Sequence, residues 1–398
     1  MDENLARFLR YVKIDTQADD NSLNTPSSEK QKNLSRLLVE ELKEIGFEDA
    51  YMNEYGIVYA HKKGKGKYKI GLNSHVDTAL ECSDENVKPQ IINKYDGNPI
   101  ILNDTYSMDI KTFPILKNHI GHDLVVTSGD TLLGADDKAG IAIIMSALKY
   151  FHDHKEIDHH SISIAFTVDE EIGKGSLHFD LKEMDADFAY TIDGSEINDV
   201  AYENFNAYGV DLEIKGVSVH PGEGKDKLIN PINLFIEIMS MIPPKDCPYY
   251  ANEDEGFYHY GDLSSHGDLL KFDFIVRDFT VEGVNQRINN FMAIVNKVKE
   301  KYKEAIITVN VNKQYENMKN YVKDFTPVKL AEEAIKKVGM TPTNKKIRGG
   351  TDGATFTKMG LFTPNLGTGS YNHHGRFEFL DINEFNEMIE VLINIIKC

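Results

Sequence analysis

Residues 161–175 read SISIAFTVDEEIGKG. The first eight form a near-continuous apolar run, which reads as a strand buried on both faces. It ends on the acids Asp169, Glu170 and Glu171, and then on Gly173 and Gly175. Adjacent side chains leave a strand end in opposite directions, so Glu170 and Glu171 cannot do the same job. One can bind a cation while the other stays free to take a proton from water. A solvated acidic turn is the plain alternative. The clustered glycines weaken it, because they mark a loop built to a special backbone.

The same arrangement recurs along the chain. Residues 57–62 and 69–74 are strand-like, and the second run leads into His75 and Asp77. Positions i and i+2 share a face, so an imidazole there can meet a cation while the carboxylate holds it in place. Residues 188–192 form another strand, ending on Asp193. Asp136 and Asp137 lie between Gly134 and Gly140, just before a helical pattern over 140–150. His373 and His374 share a glycine-containing loop, YNHHGRFE. Strands alternating with helices predict an α/β sheet. The strand ends of such a sheet converge at its carboxyl edge, where these folds bind ligands. Taken singly, each motif reads more readily as a surface turn, a helix cap or a structural histidine. Together, two imidazoles and three carboxylates are what two divalent cations need if one carboxylate bridges them. That set points to metal-assisted hydrolysis. Spacing leaves open Asp136 against Asp137, and His373 against His374.

Composition narrows the class. The chain has 398 residues, with 44 Lys and Arg against 63 Asp and Glu, a net charge of −19. Two domains are expected at this length. The acidic surface argues against nucleic acid as a partner. Three widely spaced cysteines form neither a disulfide framework nor a thiolate metal site, which fits a reduced compartment. No signal-peptide core and no membrane-length apolar run is present, so a cytoplasmic protein with no membrane partner is expected.

The remaining elements set the domain plan. Residues 28–45 read as a helix, with Ser28 and Gln31 as a capping box. The stretch 82–123 reads as an irregular insertion with a hairpin. From 207 to 311 the order is strand, helix, strand, strand, helix, strand, the split ferredoxin-like unit. A helix then starts with Thr326 as N-cap and Pro327 at N1, and 382–396 closes the chain. A smaller domain, 208–318, is therefore expected inside a larger one made of 1–207 and 319–398.

The motifs NSHVDTA (73–79), TLLGADDKAGIA (131–142), FTVDEEIGKG (166–175), YTIDG (190–194), YENFNA (202–207), VHPGEGK (219–225), EGFYH (255–259), IVRDF (275–279), IRGGTDGA (347–354) and NHHGRFEF (372–379) occur in this order. Through them the chain resembles the dizinc, carboxypeptidase-G-like metallopeptidases, and within that family the tripeptide aminopeptidases. The resemblance implies a mixed-sheet α/β catalytic domain with an inserted ferredoxin-like lid or dimerisation domain. It implies two Zn2+ per subunit, with Co2+ or Mn2+ as substitutes, a small peptide substrate, and a homodimer through the inserted domain as an assembly it allows. By position, His75 and Asp193 would hold one zinc, Glu171 and His374 the other, and Asp136 would bridge them. Glu170 would be the general base and Asp77 the acid behind the ligands. His220, Arg277, Arg348 and Asn206 would contact substrate. Ser195 stands where the family often has a further glycine. Dipeptidases, carboxypeptidases and N-acyl amino acid deacylases share the metal motifs and are the competing activities.

Overall fold

The computed structural model describes residues 2–398, and the chain divides into two compact units. The first comprises Met1–Tyr202, Tyr321–Lys345 and Thr351–Cys398; the second comprises Glu203–Asn320 with Lys346–Gly350.

The first unit is built on a seven-stranded mixed sheet. Its order is Tyr51–Met52, Val58–Lys62, Ser161–Thr167, Lys69–His75, Phe188–Ile192, Asn365–Leu366 and Val200–Ala201. The four strands from Ser161–Thr167 to Asn365–Leu366 run parallel, and the flanking ones are antiparallel. In the central register His75 pairs with Thr167, and Asn73 pairs with Thr191. The three strands that precede the acidic and imidazole turns thus finish side by side. Their interior residues are almost fully buried, as expected of parallel strands covered on both faces. The helix Ala135–Asp153 is also buried nearly all round. It approaches the sheet so closely that a Cβ on Gly140 would lie 1.9 Å from the Ile192 carbonyl oxygen.

Three local expectations are corrected. The helix expected over 28–45 runs Gln31–Glu44, and its N-terminus carries no side-chain cap. The capping box does not form because Gln31 serves a buried carboxylate instead. Its Nε2 donates to Asp169 Oδ1 at 2.6 Å, beside Ser27, whose N–H and hydroxyl bond the two Asp169 oxygens at 2.7 and 2.5 Å. A buried carboxylate left without donors would cost more than an unmade cap. Thr326 is the first helical residue of Thr326–Lys337 rather than its cap, and its hydroxyl donates to Asp324. The stretch 82–123 is more ordered than its mixed polarity suggests. It contains the expected hairpin, Ile100–Ile101 with Ser107–Met108, and in addition the strand Gln90–Ile92. That strand joins Leu124–Val126, Phe379–Asp381 and Ser370–Tyr371 in a second sheet around a small core that includes Tyr95, Met108, Leu116 and Phe379. The loop holding His373 and His374 is the connection between two strands of this sheet.

The second unit is a four-stranded antiparallel sheet in the order Phe257–His266, Leu269–Asp278, Asn206–Lys215 and Ile306–Tyr315. The helices Pro231–Ser240 and Val281–Lys301 cover one face. Alternation in the strands sends Val210, Leu212, Ile214, Phe272, Phe274 and Val276 to the helices. Asp211, Glu213, Lys271 and Asp273 point the other way and are exposed. Asn230 and Thr280 cap the two helices with their side chains.

Candidate metal centre

His75 ends its strand with a nearly inaccessible side chain. Its Nε2 lies 3.1 Å from Asp136 Oδ1, and its Nδ1 lies 3.1 Å from the Asp77 carbonyl oxygen. Asp136 Oδ2 in turn lies 3.4 Å from His374 Nε2 and 3.5 Å from His373 Nδ1. His374 Nε2 is 3.0 Å from Glu171 Oε2. His75, Asp136 and Glu171 offer donor atoms within 4.8 Å of one another, and so do His75, Asp137 and Asp193.

Backbone hydrogen bonds explain how these side chains are aimed. Asp77, fully buried, accepts the N–H of Glu170 at Oδ1 (3.1 Å) and that of Glu171 at Oδ2 (3.0 Å). Asp169, immediately before, sits in the left-handed region at φ 59°. Aspartate tolerates that conformation better than most residues. Glu378, also buried, accepts the N–H groups of Leu133, Gly134 and Asp136 at 2.8, 2.7 and 2.9 Å. It fixes the turn that presents Asp136. The Asp193 carbonyl accepts from the Asn365 amide at 3.2 Å.

The charges in the cluster distort one another. Burial raises the Asp136 carboxyl, but the imidazoles of His373, His374 and His75 outweigh it and hold the group well below its usual range. Burial, then the charge on Asp136, pushes Glu171 up to about 7 and Asp193 up to about 6. Burial also raises Glu170 well above its usual value. His374 is held up to about 11 by Asp136 and Glu171. Such opposed shifts belong to a group of buried carboxylates short of positive charge.

The residues fit divalent cations. Glu171 Oε1 and Asp137 Oδ1 are buried without a hydrogen-bond partner. The N···O separations of 3.0–3.5 Å are close to the ~3.3 Å between neighbouring ligand atoms that bonds of about 2.0–2.1 Å set in a tetrahedral site. A second group of metal-capable side chains, His119, His122, Asp381 and Glu384, differs in this respect. There both Nδ1 atoms lie at hydrogen-bond length, 2.7 and 2.6 Å, from Asp381 Oδ2, while Asp381 Oδ1 caps the Ile382–Ile396 helix. That carboxylate is already satisfied by four donors.

Of the residues expected from sequence, His75, Asp77, Asp136, Glu171 and His374 meet in one cluster. Asp193 joins through His75, and Glu170 lies on the turn that Asp77 holds. His220, Arg277, Arg348 and Asn206 all lie in the second unit. His220 caps a short turn in an exposed loop, accepting from the Gly222 N–H at 3.2 Å. Arg277 donates to the Tyr208 carbonyl and to Gln314 Oε1, and lies over the Tyr315 ring. Arg348 donates to the Asn252 and Glu253 carbonyls between the rings of Phe205 and Phe257. Asn206 bonds the Phe279 carbonyl and the Asn317 N–H. Glu378, which holds the Asp136 turn, is given no role by the sequence reading. It stands one turn of loop past His374 as an acid between two phenylalanines, FEF, and that apolar setting was the available signal.

The chain is similar to proteins already known. Peptidase family M20/M25/M40 matches residues 131–397. A peptidase T of Clostridium perfringens (strain SM101 / Type A) is 45% identical over 395 residues, covering 98% of this chain and 97% of its own. Among solved structures, an aminopeptidase PepT from Bacillus cereus ATCC 10987 superposes with a TM-score of 0.78 at 20% identity, over 99% of this chain and 97% of its own. A tripeptidase from Staphylococcus aureus superposes with the same score at 21% identity, over 99% and 96%.

Proposed function

The chain belongs to peptidase family M20/M25/M40, on its peptidase T branch, and from that membership we propose that it is a two-metal tripeptide aminopeptidase, releasing the N-terminal residue of a tripeptide. The observation that supports this most is the difference in surroundings between two neighbouring glutamates. Asp77 takes both of their N–H groups. The Glu171 carboxylate turns into the cluster beside His374, while that of Glu170 forms no hydrogen bond among the described residues.

We assign His75 and Asp193 to one cation, Glu171 and His374 to the other, and Asp136 to both. Imidazole and carboxylate donors suit zinc, with cobalt or manganese as substitutes. Bound there, the cations would polarise the scissile carbonyl and lower the pKa of a water molecule. Glu170 accepts that water's proton as oxygen attacks the carbonyl carbon. It returns the proton to the amine nitrogen as the C–N bond breaks. Asp77 keeps the Glu170 turn in place through both steps. Arg277 and Arg348 are the proposed partners of the peptide's carboxylate, since a guanidinium recognises that group bidentately. His220 and Asn206 are the other proposed substrate contacts. A cytoplasmic setting belongs to the same proposal; among the described residues no helix is long and apolar enough to cross a membrane.

The experiment is a substrate panel with metal restored to the apo protein. Unblocked di-, tri- and tetrapeptides are compared with N-blocked tripeptides. Turnover of free tripeptides above the rest is expected. Turnover confined to blocked substrates would replace this reading with a deacylase or carboxypeptidase.

A further inference from the structure

Beneath the cluster runs a buried chain of side-chain hydrogen bonds. Thr191 Oγ1 donates to Asn73 Oδ1 at 3.3 Å, and Asn73 Nδ2 donates to Thr167 Oγ1 at 3.2 Å. Thr167 Oγ1 then donates to Asp352 Oδ2 at 2.6 Å. Each hydroxyl has one proton to give, and Thr167 Oγ1 lies nearer Asp352 Oδ2 than its other acceptor, the Ser74 carbonyl at 3.4 Å. It crosses the three adjacent strands that lead to Asp193, His75 and Glu170–Glu171. Asp352 is buried, at the start of the helix Asp352–Met359, in the GGTDGA motif. Its other oxygen packs on the far foot of the glutamate loop, where a Cβ on Gly175 would lie 2.4 Å from Oδ1. Thr351, the cap of that helix, donates to Asn365 Oδ1, and the Asn365 amide donates to the Asp193 carbonyl. A single carboxyl therefore touches both feet of the loop, Thr167 and Gly175, and its neighbour is tied to the Asp193 turn.

We propose that Asp352 is a positioning residue that clamps the 168–175 loop and so aims the Glu170 carboxylate, acting on turnover through Glu170 without holding a cation. The inference rests on the reading of Glu170 as the base. Outer-shell partners of a metal site cost 10–100-fold when removed, and misplacement of a reacting group by about 1 Å costs about 100-fold.

The test compares Asp352→Ala, Asp352→Asn, Thr167→Val and the Ala/Val double variant, each by steady-state kinetics on a free tripeptide with metal content measured alongside. Asp352→Ala should lose about 10–100-fold in kcat with KM within about twofold and two metals retained. Asp352→Asn keeps an oxygen toward Thr167 and should recover most of that loss. The double variant should fall by less than the product of the two single losses, because both changes remove the Thr167–Asp352 contact. If Asp352→Ala does not fold, Thr167→Val, which keeps shape and removes the hydroxyl that donates to Asp352 and accepts from Asn73, carries the same prediction at smaller size. Unchanged kcat, loss of a metal, or additive losses in the double variant would each overturn the proposal. Glu170→Gln, assayed in parallel, separates the two readings. If it is inactive while Asp352→Ala is normal, only the clamp fails; if it remains active, the base assignment itself fails.

Discussion

Glu378→Ala is the most quantitative consequence of the geometry. One buried carboxylate accepts three backbone N–H groups, from Leu133, Gly134 and Asp136, all within 2.9 Å. Truncation leaves three donors without a partner. Each orphaned buried donor costs about 1–3 kcal/mol, and a water entering the vacated space would recover part of that. A loss of roughly 4 kcal/mol follows, near the lower end of the sum. For a unit of this size, about 2–4 °C of melting temperature goes with each kcal/mol, so the metal-free protein should melt about 10 °C lower. The turn that presents Asp136 should also loosen, weakening metal binding about 10–100-fold. Calorimetry of the apo protein and competitive metal titration measure the two effects separately. Glu378→Gln, which keeps an acceptor oxygen, should lie between the two. A Glu378→Ala protein that melts with the parent and binds metal as tightly would refute the claim that this carboxylate fixes the turn.

Three further substitutions probe the packing of the sheet, a loop glycine and a buried carboxylate. Gly140→Ala places a methyl group 1.9 Å from the Ile192 carbonyl oxygen and 2.4 Å from Asp137 Oδ1, so the helix must back away from the sheet. A cost of about 3 kcal/mol is expected by chemical denaturation. Gly375→Ala, with nothing within 4 Å of the added atom, should match the parent to within about 0.5 kcal/mol. For Asp381, burial raises the carboxyl, but His119, the Glu384 N–H and His122 outweigh it and leave the group below its usual value. A depressed folded pKa means a stabilising contribution present above the unfolded value, near pH 4, and lost as pH falls through the folded one. Asp381→Asn should therefore flatten the acid limb of the stability curve below about pH 4. An equally steep acid limb in the variant would count against it.

The strands carrying the cluster were legible because parallel strands buried on both faces write themselves as apolar runs, and 161–168 is such a run. The inserted ferredoxin-like unit was legible from its alternation and its helix stripes. Local end-signals were less informative. Gln31 had the spacing of a capping box, yet a carboxylate distant in sequence, Asp169, claimed its amide. The 82–123 stretch hid the strand Gln90–Ile92 because it is three residues long and gains its partner from 124–126. Within the site, residue type and strand-end position were enough to nominate ligands. Spacing could not choose between Asp136 and Asp137. In the structure Asp136 turns to His75, His373 and His374, whereas Asp137 turns inward to the His75 N–H. Glu378 and Asp352 stayed silent because their roles depend on backbone groups and hydroxyls brought together only by folding.

On the proposed mechanism, Glu170 and its neighbour Glu171 divide proton transfer from metal binding. Glu170→Gln, assayed for turnover of a free tripeptide and for metal by elemental analysis of the same sample, tests it most directly. Two metals per chain and a fall in kcat of about 10²–10⁴-fold, the usual contribution of a positioned general base, are expected. Metal lost from that variant, or turnover left within a fewfold of the parent, would contradict it.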